Sequence, residues 1–271
     1  MATMPRLNDP KIPTFPALKS ISIDDRQSLE KYISSFPPYS DFNFMSLLTW
    51  NTDDCILVSK LFGNLVIQFD DYISRKTYFS FLGSKDTVKT CKTLFNEAKK
   101  KQIASELKLV PETSVSSKEF KNTFEVLEDR DDFDYIFGIQ EMVDLKGRHI
   151  RSKRNFINRF KKNYEFTYKK IDLNDTSLKT SILSLTKTWK VNKGNEALST
   201  KFEFKAIQNA IKYASSLDIL TIGLFVGNEL IGISINNLLP DKYAMNLFEK
   251  ANSKYIGSYS FLRHITCNYL L

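Results

Sequence analysis

The stretch Lys146-Gly147-Arg148-His149-Ile150-Arg151-Ser152-Lys153-Arg154-Asn155-Phe156-Ile157-Asn158-Arg159-Phe160-Lys161-Lys162 holds eight lysines and arginines and no acidic residue. It follows the run from Glu128 to Asp134, its opposite in charge. Wound at 3.6 residues per turn from Ile150, it puts Phe156, Ile157 and Phe160 on one arc of roughly 100°. Arg151, Arg154, Arg159, Lys161 and Lys162 spread over the remainder, the pattern of an amphipathic basic helix. His149 and Lys153 fall inside the apolar arc. An unpaired ammonium there is costly unless an anion meets it, so Lys153 is expected to face a substrate carboxylate, a phosphate or a reacting oxyanion. The bland alternative is a lysine that snorkels to water.

Lys146-Gly147-Arg148-His149 and the run Lys153 to Phe160, approached through Asp134-Tyr135-Ile136 and Leu145, resemble the signature of the family typified by the C-terminal domain of phosphatidylglycerol lysyltransferase. The resemblance extends from about Ser40 onward. It implies an α+β fold with α/β-type mixed sheets, in two tandem lobes similar to GNAT (acyl-CoA N-acyltransferase-like) enzymes. The expected division is an extended N-terminal arm over 1–20, a first lobe over 21–128, and a second lobe over 129–271 that carries the basic helix. The resemblance further implies a transferase that moves an aminoacyl group from aminoacyl-tRNA. In the family the chain continues beyond the counterpart of the last helix, so the second lobe is expected to be incomplete after that helix. The strand from Tyr243 to Phe248 would then be an open edge that a second copy of the chain can pair, giving a homodimer.

The 271 residues, 42% of them apolar, suffice for one large core or two moderate ones. A net charge of +8 and a pI near 9.2 suit polyanions such as RNA or an anionic membrane surface. Cys55, Cys91 and Cys267 lie far apart, which suggests neither a zinc knuckle nor a disulfide framework and fits a reducing cytosol. The expected address is cytoplasmic, with the membrane periphery as a further option. No run of about 18 or more apolar residues occurs, because Ile219 to Leu239 is interrupted by Gly223, Gly227, Asn228, Glu229 and Asn236. Without the membrane segment of full-length lipid lysyltransferases, the acceptor is left open among a lipid, a peptide and a small amine. Pro5, Pro10, Pro13 and Pro16 mark the first twenty residues as an extended arm.

In chain order, Asp24 is the expected N-cap of a helix carrying Leu29, Tyr32, Ile33 and Phe36, ended by Pro37-Pro38. A short helix with Met45, Leu47, Leu48 and Trp50 follows. Cys55 to Leu61 and Leu65 to Phe69 read as strands joined through Phe62-Gly63-Asn64, and Thr77 to Leu82 as a third. A helix over Lys85 to Lys101 comes next. The same order returns as Ile219 to Phe225, a turn at Gly227-Asn228, Leu230 to Ile235, Tyr243 to Phe248, and a helix from about Tyr255. Between these units, Leu107 to Pro111, Thr123 to Leu127 and Phe133 to Ile139 read as short strands. After the basic helix come a strand over Tyr164 to Ile171 and helices over Asp175 to Val191 and Phe202 to Ser216. Lys190 to Thr200 reads as a loop able to close over a site.

Two histidines, His149 and His264, are too few and too separated for a His-rich metal site, and no metal site is expected. The chain lacks Gly-x-Ser-x-Gly, Walker and Gly-x-Gly-x-x-Gly motifs. The strand-to-helix junction from Phe248 to Ser258 is a candidate anion site, because helix N-termini present free N–H groups. In GNAT enzymes the equivalent turn binds the pyrophosphate of coenzyme A through Gln/Arg-x-x-Gly-x-Gly/Ala. Here Gly257 fills one glycine position, but Lys254 stands where Gln or Arg is usual and Tyr259 where the second small residue belongs. That departure favours aminoacyl-tRNA over acetyl-CoA or another acyl-CoA as donor, with no further cofactor.

An aminoacyl ester is already activated, so positioning and charge stabilisation suffice. Glu249 is the candidate for taking the nucleophile's proton, and Lys250, Lys153 or Tyr255 for steadying the oxyanion. Arg148, Arg151, Arg154, Asn155, Arg159 and Lys161 are candidates for the tRNA, and Asn252, Tyr255 and Gly257 for substrate at the junction. Trp189 and Tyr259 either stack on a base or pack in the core. Two other readings stay open: an acyl-CoA-dependent N-acyltransferase, and an inactive domain that binds RNA or an anionic surface.

Overall fold

Two-residue turns at Phe62-Gly63 and Gly227-Asn228 close the hairpins around which each half of the chain is built. The computed structural model describes residues 12–71, 74, 76–193 and 198–271. The chain divides between Asp134 and Tyr135, a few residues beyond the boundary expected at 128.

In the first unit, β1 (Lys19–Ser20), β2 (Ile56–Leu61), β3 (Asn64–Asp70) and β4 (Thr77–Leu82) form one antiparallel sheet in that order. Helices α1 (Arg26–Ile33) and α2 (Phe44–Trp50) precede the hairpin; α3 (Thr87–Lys101), α4 (Glu112–Val115) and α5 (Lys118–Thr123) follow the sheet. Phe62 and Gly63 have φ of 49° and 81°, the type I′ geometry that matches strand twist. Register pairs Val66 with Ser59 and Phe81, so Val66 and Phe81 share the face that buries Cys91, Leu94 and Ala98 of α3.

One expectation about the start of this unit is corrected here. The start of α1 is organised by Ser22 and Asp25, not Asp24: buried Asp25 accepts from the Ser22 amide (2.9 Å), the Ser22 hydroxyl (3.0 Å) and the Lys19 ammonium (2.6 Å). The first eleven residues of the expected arm lie outside the described residues. From Ile12 the chain is stitched to β2, with Phe15 N–H on the Lys60 carbonyl (2.9 Å) and Lys60 N–H on that of Pro13 (2.8 Å).

The three short strands expected between the units do not form. Strand residues need an edge to pair with. The Leu107 region finds only Lys108 N–H on the Phe79 carbonyl (3.3 Å), and Thr123 closes α5. Tyr135 and Ile136 stand largely exposed instead.

The second unit contains α6 (Ile139–Asp144), α7 (Arg151–Asn163), β5 (Phe166–Lys170), α8 (Thr176–Lys193), α9 (Leu198–Lys212), β6 (Ile219–Val226), β7 (Glu229–Leu238), β8 (Ala244–Ala251) and α10 (Ser258–Leu270). Its sheet runs β5-β6-β7-β8. All pairings within both sheets are antiparallel, which corrects the expectation of mixed sheets: β2-β3-β4 and β6-β7-β8 follow one another through short connections that reverse the strand direction, and β1 and β5, joined to them through helices, also pair antiparallel. Ile157 and Phe160 of α7 join Phe261, Leu262 and Ile265 of α10 over Ile222 and Leu224. The loop expected over Lys190 to Thr200 is mostly helical, because α8 runs to Lys193 and α9 starts at Leu198; residues 194–197 lie outside the described residues. Strand β8 also runs further than expected, to Ala251, and so takes Glu249 and Lys250 into the sheet.

Candidate active site on β8, α7 and α10

Successive residues of a strand face opposite sides, and β8 uses this to separate its two charged residues. Glu249 pairs in register with Ser234 and Lys250 with Ile233. The Glu249 side chain is 9% exposed and is held by Arg263 of α10, whose Nη2 donates to Oε1 (2.7 Å) and Nε to Oε2 (3.4 Å). Lys250 is buried on the other face, ion-paired with Glu203 of α9, its Nζ 4.2 Å from the centre of the Trp189 ring on α8. Neither is a strand-end charge open to water. Sequence reading missed Arg263 and Glu203, since no local pattern marks a partner on another element.

Trp189 has a polar neighbour too. Its indole and the Ala251 amide both hydrogen-bond the Tyr259 hydroxyl, whose pKa is raised chiefly by burial. This occupies part of the outer edge of β8, the last strand of its sheet.

The buried thiol of Cys267 on α10 feels the charges of Glu249, Arg263 and Lys153. Burial pushes that thiol up to about 11, Glu249 acts in the same direction, and Arg263 and Lys153 pull it back. Along α7, Ile150, Ile157 and Phe160 are buried and Lys153 is half-buried among them. Phe156 is 46% exposed, because it lies one step around the helix from the line through Ile150, Ile157 and Phe160. His149 does not project into the apolar arc: it precedes the helix, and its exposed Nε2 sits 3.6 Å from Glu141.

The basic residues of α7 divide by task. Arg154 Nη1 donates to the Leu145 carbonyl (2.6 Å), closing the end of α6, where Leu145 adopts a left-handed conformation. Lys161 lies over the Phe261 ring at 5.5 Å. Arg148, Arg151, Asn155 and Arg159 are exposed.

At the junction after β8, the candidate ligands are occupied with one another. Asn252 Oδ1 accepts the Lys254 amide (3.1 Å) and its carbonyl accepts the Ser258 hydroxyl (3.1 Å). The Tyr255 hydroxyl donates to Glu229 (2.7 Å), a bond that raises its pKa, and the Tyr164 hydroxyl accepts the Ile256 amide (3.2 Å). Gly257 has φ of +89°, and a Cβ there would stand 2.2 Å from the Phe156 carbonyl oxygen. Only glycine lets the turn press so closely on α7. The start of α10 therefore meets the α7 backbone.

The sequence and the fold have counterparts among known proteins. The family described as "Phosphatidylglycerol lysyltransferase, C-terminal" matches residues 38–270, nearly the whole chain. The chain belongs to that family. As a family member it is also similar to a solved structure titled "Crystal Structure of Conserved Protein of Unknown Function from Bacteroides thetaiotaomicron VPI-5482", with a TM-score of 0.78 and 21% identity over 94% of this chain and 86% of that one. That likeness concerns the fold alone. Comparison with curated proteins finds no match. Among the described residues, this lysyltransferase-family chain has no helix long and apolar enough to cross a membrane, and no group of three or more His, Cys, Asp or Glu side chains placed to hold a metal.

Outside this site, the first unit holds an acidic cavity of about 400 Å³ lined by Ser40, Asp41, Asp71, Asp131, Asp132 and Asp134, among others. Burial, then Asp134 and Asp132, raise the Asp41 carboxyl to about 6.

Proposed function

We propose that the chain is an aminoacyl-tRNA-dependent transferase of tandem GNAT-like architecture, acting on an amine or hydroxyl acceptor. The observation that carries this reading is the nearly enclosed Glu249–Arg263 pair of β8 and α10 together with the half-buried Lys153 of α7, a helix whose outer face exposes Arg151 and Arg159, with exposed Arg148 just before it. The exposed arginines take tRNA phosphates. Lys153 faces the ester carbonyl and steadies the oxyanion, while Glu249, oriented by Arg263, receives the proton of the attacking group. Lys250 is reassigned from catalysis to holding β8 against α8 and α9, since Glu203 and Trp189 already engage its ammonium.

The packing of Gly257 against Phe156 weighs against coenzyme A as donor, because the turn expected to cradle its pyrophosphate abuts α7 instead. The basic outer face of α7 also supports a cytoplasmic protein that touches an anionic membrane. A homodimer through β8 draws on that strand's place at the end of the sheet, limited to residues before Ala251 by the Tyr259 bond.

The test supplies lysyl-tRNA labelled in the aminoacyl group, with phosphatidylglycerol vesicles or a small amine as acceptor, and acetyl-CoA in a parallel reaction. Label transfer from tRNA is the expected result. Turnover only with the thioester assigns the acyl-CoA reading, and tRNA binding without transfer to any acceptor assigns the inactive binding domain.

A further inference from the structure

At the tip of the β2–β3 hairpin stands a residue that suits neither its backbone nor its surroundings. Phe62 occupies the first position of a type I′ turn with φ of 49°, where Asn or Gly is favoured and a bulky side chain is strained. More than a third of its surface stays open to water, 37% of the residue being exposed. Strain retained at an exposed aromatic points to a use for the ring.

Basic groups surround it. Lys89 Nζ lies 4.2 Å from the centre of the Phe62 ring, and the Lys85 side chain runs across Gly63, its Cδ 3.0 Å from where a Cβ would be. Lys89 and Lys92 are exposed one turn apart at the start of α3, and exposed Lys85 stands in the turn just before that helix. Asp86 is the acidic residue among them. The platform is rigid: fully buried Asn64 donates to the Lys85 carbonyl (2.6 Å) and to Thr90 Oγ1 (2.8 Å), and its Oδ1 accepts the Lys85 amide (3.1 Å). Gly83 leaves room for this, since a Cβ there would stand 2.0 Å from Asn64 Oδ1.

We infer that this tip is a contact for single-stranded RNA, in which the Phe62 ring stacks on an unpaired base while Lys85, Lys89 and Lys92 hold the flanking phosphates. A ring projecting from a tip reaches only a base that is not already stacked in a duplex. A membrane surface fits less well, because an interfacial helix needs a free apolar face and that of α3 is spent in the core on Cys91, Leu94 and Ala98. The choice of RNA rests on the transferase reading above; the site is a separate one on the first unit.

The test measures binding of the whole chain to a fluorescein-labelled twelve-residue oligouridine and to a blunt RNA duplex of equal length. Phe62→Asn is expected to weaken oligouridine binding about tenfold, with a smaller effect on the duplex. Its thermal midpoint should hold or rise, because Asn-Gly is the preferred pair for this turn. Replacing Lys85, Lys89 and Lys92 by Gln should reduce the log–log salt slope by about 2; Lys89→Gln alone, with a proportionate reduction, serves if the triple variant does not fold. Wild-type affinity in Phe62→Asn overturns the inference, as does a melting loss that shows the ring to be packing, or failure of the wild type to bind oligouridine. Absence of aminoacyl transfer with oligouridine binding intact would remove the transferase reading and leave this site standing.

Discussion

Glu249 and Arg263 meet through two donors on two oxygens, at 2.7 and 3.4 Å, and the pair ties the edge strand β8 to α10 beside the candidate site. The carboxylate is nearly enclosed while the guanidinium is 44% exposed. The arginine can therefore be removed without opening a large cavity, but the carboxylate it leaves behind has poor access to water.

Arg263→Ala is accordingly expected to destabilise the chain by about 1–3 kcal/mol, the cost of an enclosed charge without its partner, moderated by the exposure of the arginine. Urea denaturation checks this. Removal of Arg263 should cost less when Glu249→Gln is already present, and a double-variant loss equal to the sum of the two single losses would show that the pair is not coupled.

Lys153→Ala should lower turnover more than it lowers tRNA affinity, since a group facing the reacting oxyanion acts in the transition state. Single-turnover transfer beside equilibrium binding separates the two. Equal losses would return Lys153 to the phosphate contacts, and no loss in either would make it a snorkelling lysine.

The salt dependence of tRNA binding by α7 should be shallower than a count of its basic residues suggests. Of the five candidate phosphate contacts, Arg154 and Lys161 are engaged at Leu145 and Phe261, so Arg148, Arg151 and Arg159 remain, and their share of the log–log slope should be about −2 to −3. Charge reversal at Arg151 and Arg159 should remove most of that share. A slope near zero in the wild type would exclude RNA binding through this helix.

Acid should stabilise the first unit through Asp41. Its carboxyl is raised from 3.8 to about 6, so between these values the folded chain binds the proton and the unfolded chain does not. The contribution of Asp41 to stability therefore rises as pH falls from about 6 towards 3.8, and above about 6 its charge is a net cost. Asp41→Asn should stabilise the chain at pH 7 by about 1–3 kcal/mol, a gain that disappears near pH 4. Denaturation of both proteins across this range decides it, and a gain independent of pH would remove the titration of Asp41 as its cause.

The sequence by itself determined what depends on neighbours along the chain. Gly63 and Gly227 mark hairpins because a two-residue turn needs positive φ. The periodicity of Ile150, Ile157 and Phe160 marks the buried line of α7, because helical spacing alone sets which residues share a face. The placing of Lys153 among them was legible for the same reason. Tertiary structure decided what depends on residues far apart in the chain. Lys250 reads as a surface charge until α8 and α9 bring Trp189 and Glu203 to it. Glu249 has no visible partner until α10 lies across the sheet, and the close approach of Gly257 to the α7 backbone arises only when those two elements pack. Periodicity and turn chemistry act over a few residues, whereas ion pairs and close backbone approaches arise only once separate elements have packed.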